Sequence, residues 1–292
     1  MSETIRPRRS VLFMPGSNER ALEKARQLPA DALIMDLEDA VAPSAKATAR
    51  ENVVRAVRHG GYGRREIVIR INGLGSPWGG DDLEAVAGTG VDAILLPKID
   101  SAERLVQAAD ALRAAGAPAT TRTWAMAETP RSIINIAAIA GADSSLAVIV
   151  MGTNDLNKAM RLPPDPGRLG LREALSRCVV AARAHGLDII DGVYMNLSDP
   201  DGFASSCEQG RLLGFDGKTL IHPGQIDMAN QAFGVAEDMA ERATDIVSAW
   251  EAAEAQGSAV AVVNGEMIEE LHADEARRVL ALRASIRALE EE

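Results

Sequence analysis

The stretch from Leu33 to Val41 reads LIMDLEDAV, an apolar run that leads directly into three acidic residues. A short run of aliphatic residues indicates a buried β-strand. Carboxylates are rarely buried unless they are paired with a cation or bound to a metal. Asp36, Glu38 and Asp39 therefore predict a binding function where this strand ends, and the other strands can be tested for the same feature.

Eight such runs occur within about 235 residues, separated by alanine-rich amphipathic segments. The runs are nearly continuous in hydrophobicity, which is typical of parallel strands that helices cover on the outside. They are SVLFMP from Ser10, ALIMDLE from Ala32, EIVIRIN from Glu66, DAILLPK from Asp92, RTWAMAE from Arg122, LAVIVMG from Leu146, LDIIDGV from Leu187 and DGKTLIHP from Asp216. The helical segments between them include Asn18–Gln27, Ala45–Val57, Ala102–Ala115, Arg131–Ala140 and Leu171–Ala184.

This alternation predicts an α/β protein with a closed (β/α)8 TIM barrel. An open doubly wound sheet is the competing arrangement, but eight units in about 235 residues are typical of a barrel. We predict a barrel domain over residues 1–235 and a C-terminal helical extension over residues 236–292. The extension contains two helical patterns, Ala236–Gln256 and Asp274–Leu289, on either side of a short extended segment with a turn.

The bulk composition narrows the classes of partner. The chain has 292 residues, 47% of them hydrophobic, and a net charge of −11. This charge disfavours nucleic acids and membrane surfaces as partners, because both attract basic proteins. Cys178 and Cys207 lack metal-ligand spacing and predict reduced thiols. No apolar run indicates a signal peptide or a membrane span, so we expect a cytoplasmic protein that acts on a small molecule.

Polar groups follow nearly every predicted strand. Catalytic residues of TIM barrels lie at the carboxyl ends of the strands and in the loops that follow them. Chance would scatter such groups over both ends of the barrel, so their clustering predicts an enzyme. In strand order the groups are Pro15-Gly16-Ser17-Asn18, Asp36 with Glu38 and Asp39, Arg70 with Asn72, Lys98, Glu128, Asn154-Asp155, Asp191 and His222.

Several carboxylates crowded at one barrel mouth require a cation or a proton. Hard oxygen ligands without His or Cys favour Mg²⁺, or Mn²⁺, over Zn²⁺. Because Mg²⁺ takes only one or two carboxylates directly, we predict Glu128 and Asp155 as metal ligands. Glu38 and Asp39 would hold metal-bound water or neighbouring side chains. The alternative for these two is helix capping, or an ion pair with Lys98 or Arg70.

Three further features have alternative interpretations at this point. Arg70 either forms a structural salt bridge with Asp36 or Glu38, or binds a substrate carboxylate or carbonyl. The segment MGTNDL, residues 151–156, offers backbone N–H groups to an anion, or is an ordinary turn with Asp155 as the helix cap. Arg20 and Lys24 contact a phosphate, or only solvate a helix face, and the solvated face is the simpler interpretation.

Together these residues resemble the CitE-like branch of the HpcH/HpaI aldolase and citrate lyase β-subunit family. The resemblance covers nearly the whole chain, and its motifs occur in the same order as in the family. They are RSVLFMPGSNER, IMDLEDAVAPSAKATAR, IVIRINGLGSP, ILLPKID, MAETPRSIINI, GTNDLNKAM and GFDGKTLIHPGQI. The resemblance implies a TIM barrel, Mg²⁺ and a β-hydroxyacyl-CoA substrate such as malyl-CoA or citramalyl-CoA. It also implies a homotrimer or a multiple of trimers.

The resemblance also implies roles for individual residues. Glu128 and Asp155 correspond to the metal ligands, and Arg70 to the residue that polarises the reacting oxygen. Glu38 is expected to take part in catalysis, with Asp36 and Asp39 supporting the site. Gly152, Thr153 and Asn154 correspond to the turn that binds the substrate carboxylate. Arg20 and Lys24 become expected contacts of the coenzyme A phosphates, which reverses the simpler interpretation above.

The C-terminal extension contains one departure from the family pattern. In related lyases a segment like G-x-M-I-D lies over the barrel of the neighbouring subunit, and its Asp is a catalytic acid or base. This chain has Glu269 at that position. Because a misplacement of about 1 Å can cost on the order of 10²-fold in rate, the substitution disfavours efficient cleavage of the usual substrates. The extension also argues against a citrate lyase subunit, a class that we expect to have shorter chains.

The leading sequence-based hypothesis is a Mg²⁺-dependent carbon–carbon lyase that splits such a thioester into an acyl-CoA and a 2-oxo acid. The alternatives are a malyl-CoA-type thioesterase, a class II aldolase acting on free 2-oxo acids, and a non-catalytic partner subunit. Retention of Arg70, Glu128 and Asp155 weighs against the last of these.

Overall fold

The computed structural model describes residues 5–291, and its larger unit contains a closed barrel of eight parallel strands. The strands are β1 Ser10–Pro15, β2 Ala32–Asp36, β3 Glu66–Arg70, β4 Ala93–Leu96, β5 Arg122–Ala127, β6 Leu146–Met151, β7 Asp188–Asp191 and β8 Gly217–Leu220. Each strand pairs with the next along the chain, and β8 pairs with β1, so the sheet has no open edge. The predicted TIM barrel is confirmed, and the open doubly wound sheet is wrong.

Helices connect the strands of the barrel. They are α1 Glu19–Lys24, α2 Lys46–His59, α3 Gly79–Ala87, α4 Ala102–Ala114, α5 Pro130–Ala140, α6 Thr153–Met160, α7 Arg172–Ala184, α8 Pro200–Leu213 and α9 Ile226–Ala232. The predicted helical segments agree closely with these bounds. Helices α6 and α7 both lie between β6 and β7, so the chain after β6 first forms a short helix at the barrel mouth.

Alternate side chains of each strand point into the barrel. The buried core includes Val11, Ala32, Ile34, Val68, Ala93, Leu95, Trp124, Met126, Val148, Val150 and Ile190. Asp36, Arg70 and Glu128 each follow one of these residues by two positions along the chain. The alternation therefore directs their side chains inward as well, at the carboxyl ends of β2, β3 and β5. Charged side chains replace the apolar core where the barrel opens.

Residues 233–291, together with residues 5–7, form a second compact unit. It contains helix α10 Glu237–Glu254, the antiparallel strands β9 Ala261–Val263 and β10 Glu266–Ile268, and helix α11 Glu270–Glu290. Asn264 and Gly265 make the turn between the two strands, both with positive φ. Trp250, Ile268 and Ala273 are part of the small core of this unit.

Candidate active site

Arg70 and Asp36 are joined side by side at the ends of β3 and β2. They are paired in the strand register, and the guanidinium donates from Nε to Oδ1 at 2.7 Å and from Nη2 to Oδ2 at 2.6 Å. Asp36 also accepts the backbone N–H groups of Glu38 and Ala40. The ring of Phe13 lies 4.8 Å from the Arg70 guanidinium carbon. This geometry fixes one edge of Arg70 and leaves Nη1 outside the bidentate pair.

The third nitrogen of Arg70 faces the other two acids of the β2 loop. Nη1 lies 3.1 Å from Glu38 Oε2 and 3.7 Å from an Asp39 oxygen. Both interpretations of Arg70 that the sequence allows are thus compatible with the geometry, since the residue is anchored by a salt bridge and still presents one N–H-bearing nitrogen. The capping alternative for Asp39 is wrong, because α2 begins only at Lys46 and the Asp39 side chain is 58% exposed.

Glu38 is buried but incompletely bonded. Its Oε1 accepts a hydrogen bond from Lys98 Nζ at 3.2 Å, so the predicted alternative of an ion pair with Lys98 or Arg70 is present. Oε2 has no hydrogen-bond partner, because its approach to Arg70 lacks hydrogen-bond geometry. Burial raises the pKa of Glu38 above its usual value, although Arg70 and Lys98 act in the opposite direction. Such a carboxyl is suited to exchanging a proton with a ligand.

Glu128 follows β5 and is almost completely buried. Its Oε1 accepts the backbone N–H of Lys98 at 2.7 Å. Burial and the charge of Glu38 raise the pKa of Glu128 to about 7, and Asp155 acts in the same direction. A carboxylate held among like charges in this way favours the approach of a cation.

The turn from β6 to α6 passes directly over Glu128. A Cβ atom on Gly152 would lie 2.3 Å from Glu128 Cβ and 2.8 Å from Glu128 Oε2, so only glycine fits there. Gly152 is the residue before α6, Thr153 is buried and Asn154 is exposed. Asp155 lies within the first turn of the helix. The alternative in which Asp155 caps the helix is therefore wrong.

Glu128 and Asp155 contribute two carboxylates at the carboxyl ends of neighbouring strands β5 and β6, and the sequence predicts both as Mg²⁺ ligands. Between residues 5 and 291, Asp155 has no hydrogen-bond or ion-pair partner. No group of three or more His, Cys, Asp or Glu side chains in that part of the chain is arranged to hold a metal. Mg²⁺ usually binds one or two carboxylates and completes its shell with water and substrate oxygens. Two carboxylates match that number of ligands, and the same oxygens suit Mn²⁺. The assignment of Glu128 and Asp155 as metal ligands stays a prediction.

Lys46 supports the site, although the sequence did not single it out. Its buried ammonium donates to the carbonyls of Leu37 and Glu38 at 2.8 Å each and to Asn72 Oδ1 at 2.7 Å. The first two bonds hold the loop that carries Glu38, and the third ties Lys46 to the residue after β3. A signal was present, because Lys46 occupies the first position of the buried stripe that continues with Ala49 and Val53. A lysine within such a stripe indicates a buried acceptor.

Arg20 and Lys24 lie on α1 and are exposed. Arg20 lines a cavity of about 370 Å³ between α1 and α2, together with Arg26, Arg55 and His59. Arg55 is bound to Glu19 at 2.5 Å, and Arg26 forms an ion pair with Glu23. Glu19 and Glu23 also line this cavity, so Arg20 is its arginine that neither of these ion pairs involves, and Lys24 is outside the lining.

Two strand-end residues do not join the site. The buried Asp191 accepts from Arg168 Nη1 at 2.7 and 2.9 Å and from Lys218 Nζ at 2.6 Å. Arg168 also bonds to Gln209 and to the Ser206 carbonyl of α8, so this cluster faces the helix layer. His222 accepts the N–H of Gly224 and shapes the turn after β8. The expectation that nearly every strand ends in a group at the mouth is therefore wrong for β7.

Glu269 belongs to the second unit. It is the residue before α11, it is exposed, and its backbone N–H donates to His272 Nδ1 at 3.0 Å. The predicted position of this segment over a neighbouring subunit stays a prediction.

Comparison with known proteins gives relatives over the whole chain. A family model described as HpcH/HpaI aldolase/citrate lyase matches residues 9–223. A (3S)-malyl-CoA thioesterase of Cereibacter sphaeroides is 46% identical over 288 residues, which cover 99% of either chain. The citrate lyase β subunit of Escherichia coli is 37% identical over 98% of this chain and 96% of its own. The latter alignment includes the extension, so the expectation that citrate lyase subunits have shorter chains is wrong.

One solved structure extends the comparison to bound ligands. CitE from Mycobacterium tuberculosis, in complex with magnesium, acetoacetate and coenzyme A, has a TM-score of 0.74 and 26% identity. The match covers 94% of this chain and 97% of CitE.

Proposed function

The chain belongs to the HpcH/HpaI aldolase/citrate lyase family, and on that premise we propose a Mg²⁺-dependent thioesterase acting on a malyl-CoA-type substrate. The sequence by itself favours carbon–carbon cleavage as the first hypothesis. The thioesterases at 46% identity support the alternative of thioester hydrolysis. Glu269 departs from the lyase pattern, and this also favours thioester hydrolysis over carbon–carbon cleavage.

One observation carries the proposal. At one barrel mouth, Arg70 Nη1 lies 3.1 Å from Glu38 Oε2, which has no hydrogen bond. The charges of Glu38 and Arg70 also act on the nearby carboxylate of Glu128. A donor for a developing oxyanion, a proton acceptor and a cation ligand are the groups that thioester chemistry needs. A purely structural cluster satisfies its buried polar atoms, whereas Glu38 Oε2 is left without a hydrogen bond.

Glu128 and Asp155 would hold the metal. When bound, Mg²⁺ supplies Lewis-acid polarisation of substrate oxygen atoms. The N–H groups of Thr153 and Asn154, at the start of α6, would bind the carboxylate of the substrate. Gly152, whose own N–H donates to the Ala127 carbonyl at 3.0 Å, would contribute to this turn through its lack of a side chain. Magnesium and coenzyme A in the Mycobacterium tuberculosis relative support this assignment of ligands.

The protein side chains then account for the hydrolysis. Arg70 Nη1 donates to the thioester oxygen as that oxygen gains negative charge. Glu38 Oε2 takes a proton from the water that attacks the thioester carbon, and the proton passes to the coenzyme A sulfur as the carbon–sulfur bond breaks. Arg20 and Lys24 bind the phosphates of coenzyme A, with Arg20 in the cavity between α1 and α2. Free coenzyme A and malate, or a homologue of it, are the products.

Carbon–carbon cleavage is the second candidate, because the Escherichia coli relative is a citrate lyase β subunit. Here Arg70 would stabilise the enolate of the acyl-CoA product, and Glu269 of a neighbouring subunit would donate the proton that quenches it. This candidate requires the homotrimer, or multiple of trimers, that the resemblance implies. We also infer a cytoplasmic location and no nucleic-acid partner.

The test is a product analysis. Purified protein is incubated with malyl-, methylmalyl-, citramalyl- and citryl-CoA, with Mg²⁺ or with EDTA, and products are followed by mass spectrometry. We expect free coenzyme A and intact hydroxy acid, lost with EDTA. A shortened acyl-CoA with a 2-oxo acid would establish the lyase instead. If no thioester reacts, class II aldol chemistry on free 2-oxo acids or a non-catalytic partner subunit replaces the proposal.

A further inference from the structure

Lys98 is the residue at the mouth whose backbone conformation demands an explanation. It follows β4 with φ of 53°, in the left-handed region that lysine rarely adopts. Within residues 5–291 three other non-glycine residues have positive φ, namely Arg161, Arg168 and Asn264, and they lie at a helix end or in loops and turns. Lys98 alone among these four has this conformation at the end of a barrel strand.

The left-handed backbone has a specific bonding consequence. It accompanies a hydrogen bond from the N–H of Lys98 to Glu128 Oε1, at 2.7 Å. Glu128 is almost fully buried, and this is the hydrogen bond that its carboxylate makes within the described chain. A strained conformation persists where the surrounding structure and function require it. The strain at Lys98 therefore coincides with the bond that orients Glu128.

The side chain of the same residue holds a second carboxylate. Lys98 Nζ donates to Glu38 Oε1 at 3.2 Å, and this leaves Oε2 of Glu38 without a hydrogen bond. The Lys98 side chain is 53% exposed, and it lines a cavity of about 740 Å³ with Glu38, Asn72 and Trp78. The ammonium is therefore placed between solvent and the buried acid, and it does not seal the site.

We propose that Lys98 is a positioning residue that sets the orientation of two mouth carboxylates, Glu128 through its backbone and Glu38 through its ammonium. This inference rests on the proposed function, which assigns metal binding to Glu128 and proton transfer to Glu38. The two halves of Lys98 act on different steps. The backbone half governs metal affinity, and the ammonium half governs turnover.

Two substitutions separate these halves. Lys98→Asn removes the ammonium and keeps a residue type that tolerates positive φ, whereas Lys98→Val removes the ammonium and disfavours that conformation. Mn²⁺ binding, measured by electron paramagnetic resonance without substrate, is the first readout. We expect Lys98→Val to weaken Mn²⁺ affinity by about 10- to 100-fold, as loss of a group that orients a metal ligand does. Lys98→Asn should stay within about threefold of the wild type, because asparagine accepts the left-handed backbone.

Turnover with Mn²⁺ at saturation is the second readout. Both variants should lower kcat by roughly 10²-fold, since both release Glu38, the proton-transfer group. Lys98→Arg should restore part of this loss. Asn264→Val is the matched control, because it places valine at a positive φ of 52° in the second unit. That control should leave Mn²⁺ affinity unchanged.

The outcomes distinguish the inference from the proposed function. Equal Mn²⁺ affinity in Lys98→Val and Lys98→Asn would overturn the backbone half, and wild-type kcat in Lys98→Asn would overturn the ammonium half. Glu128→Gln is measured alongside. If Glu128→Gln binds Mn²⁺ as the wild type does, the metal assignment itself is wrong. If Lys98→Val fails to fold, Lys98→Thr takes its place, because threonine is also β-branched.

Discussion

Two clusters of charged side chains in the barrel unit, both built around buried carboxylates, differ in how completely their charges are bonded. The mouth cluster comprises Asp36, Glu38, Arg70, Lys98 and Glu128. The sealed cluster comprises Arg168, Asp191 and Lys218. Each contains an arginine bound through two contacts to an aspartate. In the mouth cluster Glu38 Oε2 and Arg70 Nη1 lie 3.1 Å apart without a hydrogen bond, whereas Asp191 of the sealed cluster accepts hydrogen bonds at both oxygens.

The pKa values of the buried carboxyl groups differ between the two clusters in the way that this difference in bonding predicts. Burial and like charge raise the pKa of Glu128 to about 7. Burial would also raise the pKa of Asp191, but Lys218 and Arg168 outweigh it and lower that pKa. Buried charges that are fully paired hold the fold together, and breaking one pair is costly. Buried charges that remain partly unpaired retain capacity to bind a ligand.

The largest contrast between activity and stability should come from removing Asp155, beside the mouth cluster, and Asp191, within the sealed cluster. Asp155→Ala should lower Mg²⁺-dependent turnover by on the order of 10³-fold, because it deletes a metal ligand worth several kcal/mol in the transition state. Its unfolding free energy should change by less than about 0.5 kcal/mol, since within residues 5–291 the side chain has no bonding partner. Asp191→Ala should lose about 3–5 kcal/mol of stability, because it leaves the fully buried Lys218 without a carboxylate and removes the ion pair of the largely buried Arg168. Kinetics and urea unfolding of both variants check this, and unchanged turnover in Asp155→Ala would contradict the metal assignment.

Replacing the arginine of each cluster by lysine should separate an effect on catalysis from an effect on stability. Arg70→Lys should lower kcat by about 10²- to 10³-fold, the cost of losing an oxyanion donor, because lysine cannot pair with Asp36 and still present a second nitrogen. Arg168→Lys should lower the melting temperature and leave kcat within about threefold, since that cluster is bonded to itself and to α8. Steady-state kinetics and calorimetry measure the two effects. A larger kcat loss in Arg168→Lys than in Arg70→Lys would reverse the assignment of the clusters.

A single methyl group should disturb the mouth. Gly152→Ala places a Cβ 2.3 Å from Glu128 Cβ, and the displacement should cost about 10²-fold in kcat, as errors near 1 Å do in active sites. Gly80→Ala is the control, because nothing lies within 4 Å of a Cβ at that helical position. Comparable kinetics in the two variants would show that the turn over Glu128 has no catalytic importance.

The second unit should have the smallest effect on hydrolysis. Glu269→Ala should leave Mg²⁺ affinity and thioester hydrolysis within about threefold of the wild type, because the proposed hydrolysis assigns no proton transfer to Glu269. Formation of a shortened acyl-CoA, if present at all, should fall more steeply. Mass spectrometry of both products from one reaction gives the ratio. A sharp fall in hydrolysis would place Glu269 in the thioesterase mechanism and contradict the proposed division.

The barrel and the inward-facing charged residues at its mouth could be predicted from the sequence, because they follow from hydrophobic periodicity and from the positions of the strand ends. Continuous apolar runs specify parallel strands, and two-residue alternation brings Asp36, Arg70 and Glu128 to one face. The sequence could not predict which strand-end charges are already paired. Asp191 is the last residue of its strand, as Asp36 is, but its partners Arg168 and Lys218 come from other segments of the chain. The left-handed backbone conformation of Lys98 could not be predicted either, because a lysine in the sequence does not indicate a positive φ.

The central claim is that a divalent cation binds at the mouth cluster through Glu128 and Asp155. Its most direct test is calorimetric titration of Mg²⁺ into the substrate-free protein and into the Glu128→Gln/Asp155→Ala double variant. We predict one saturable Mg²⁺ site per chain in the wild type and none in the double variant, with folding intact in both. Saturable binding that survives in the double variant, or no binding in the wild type, would contradict the claim that the mouth cluster is completed by a divalent cation.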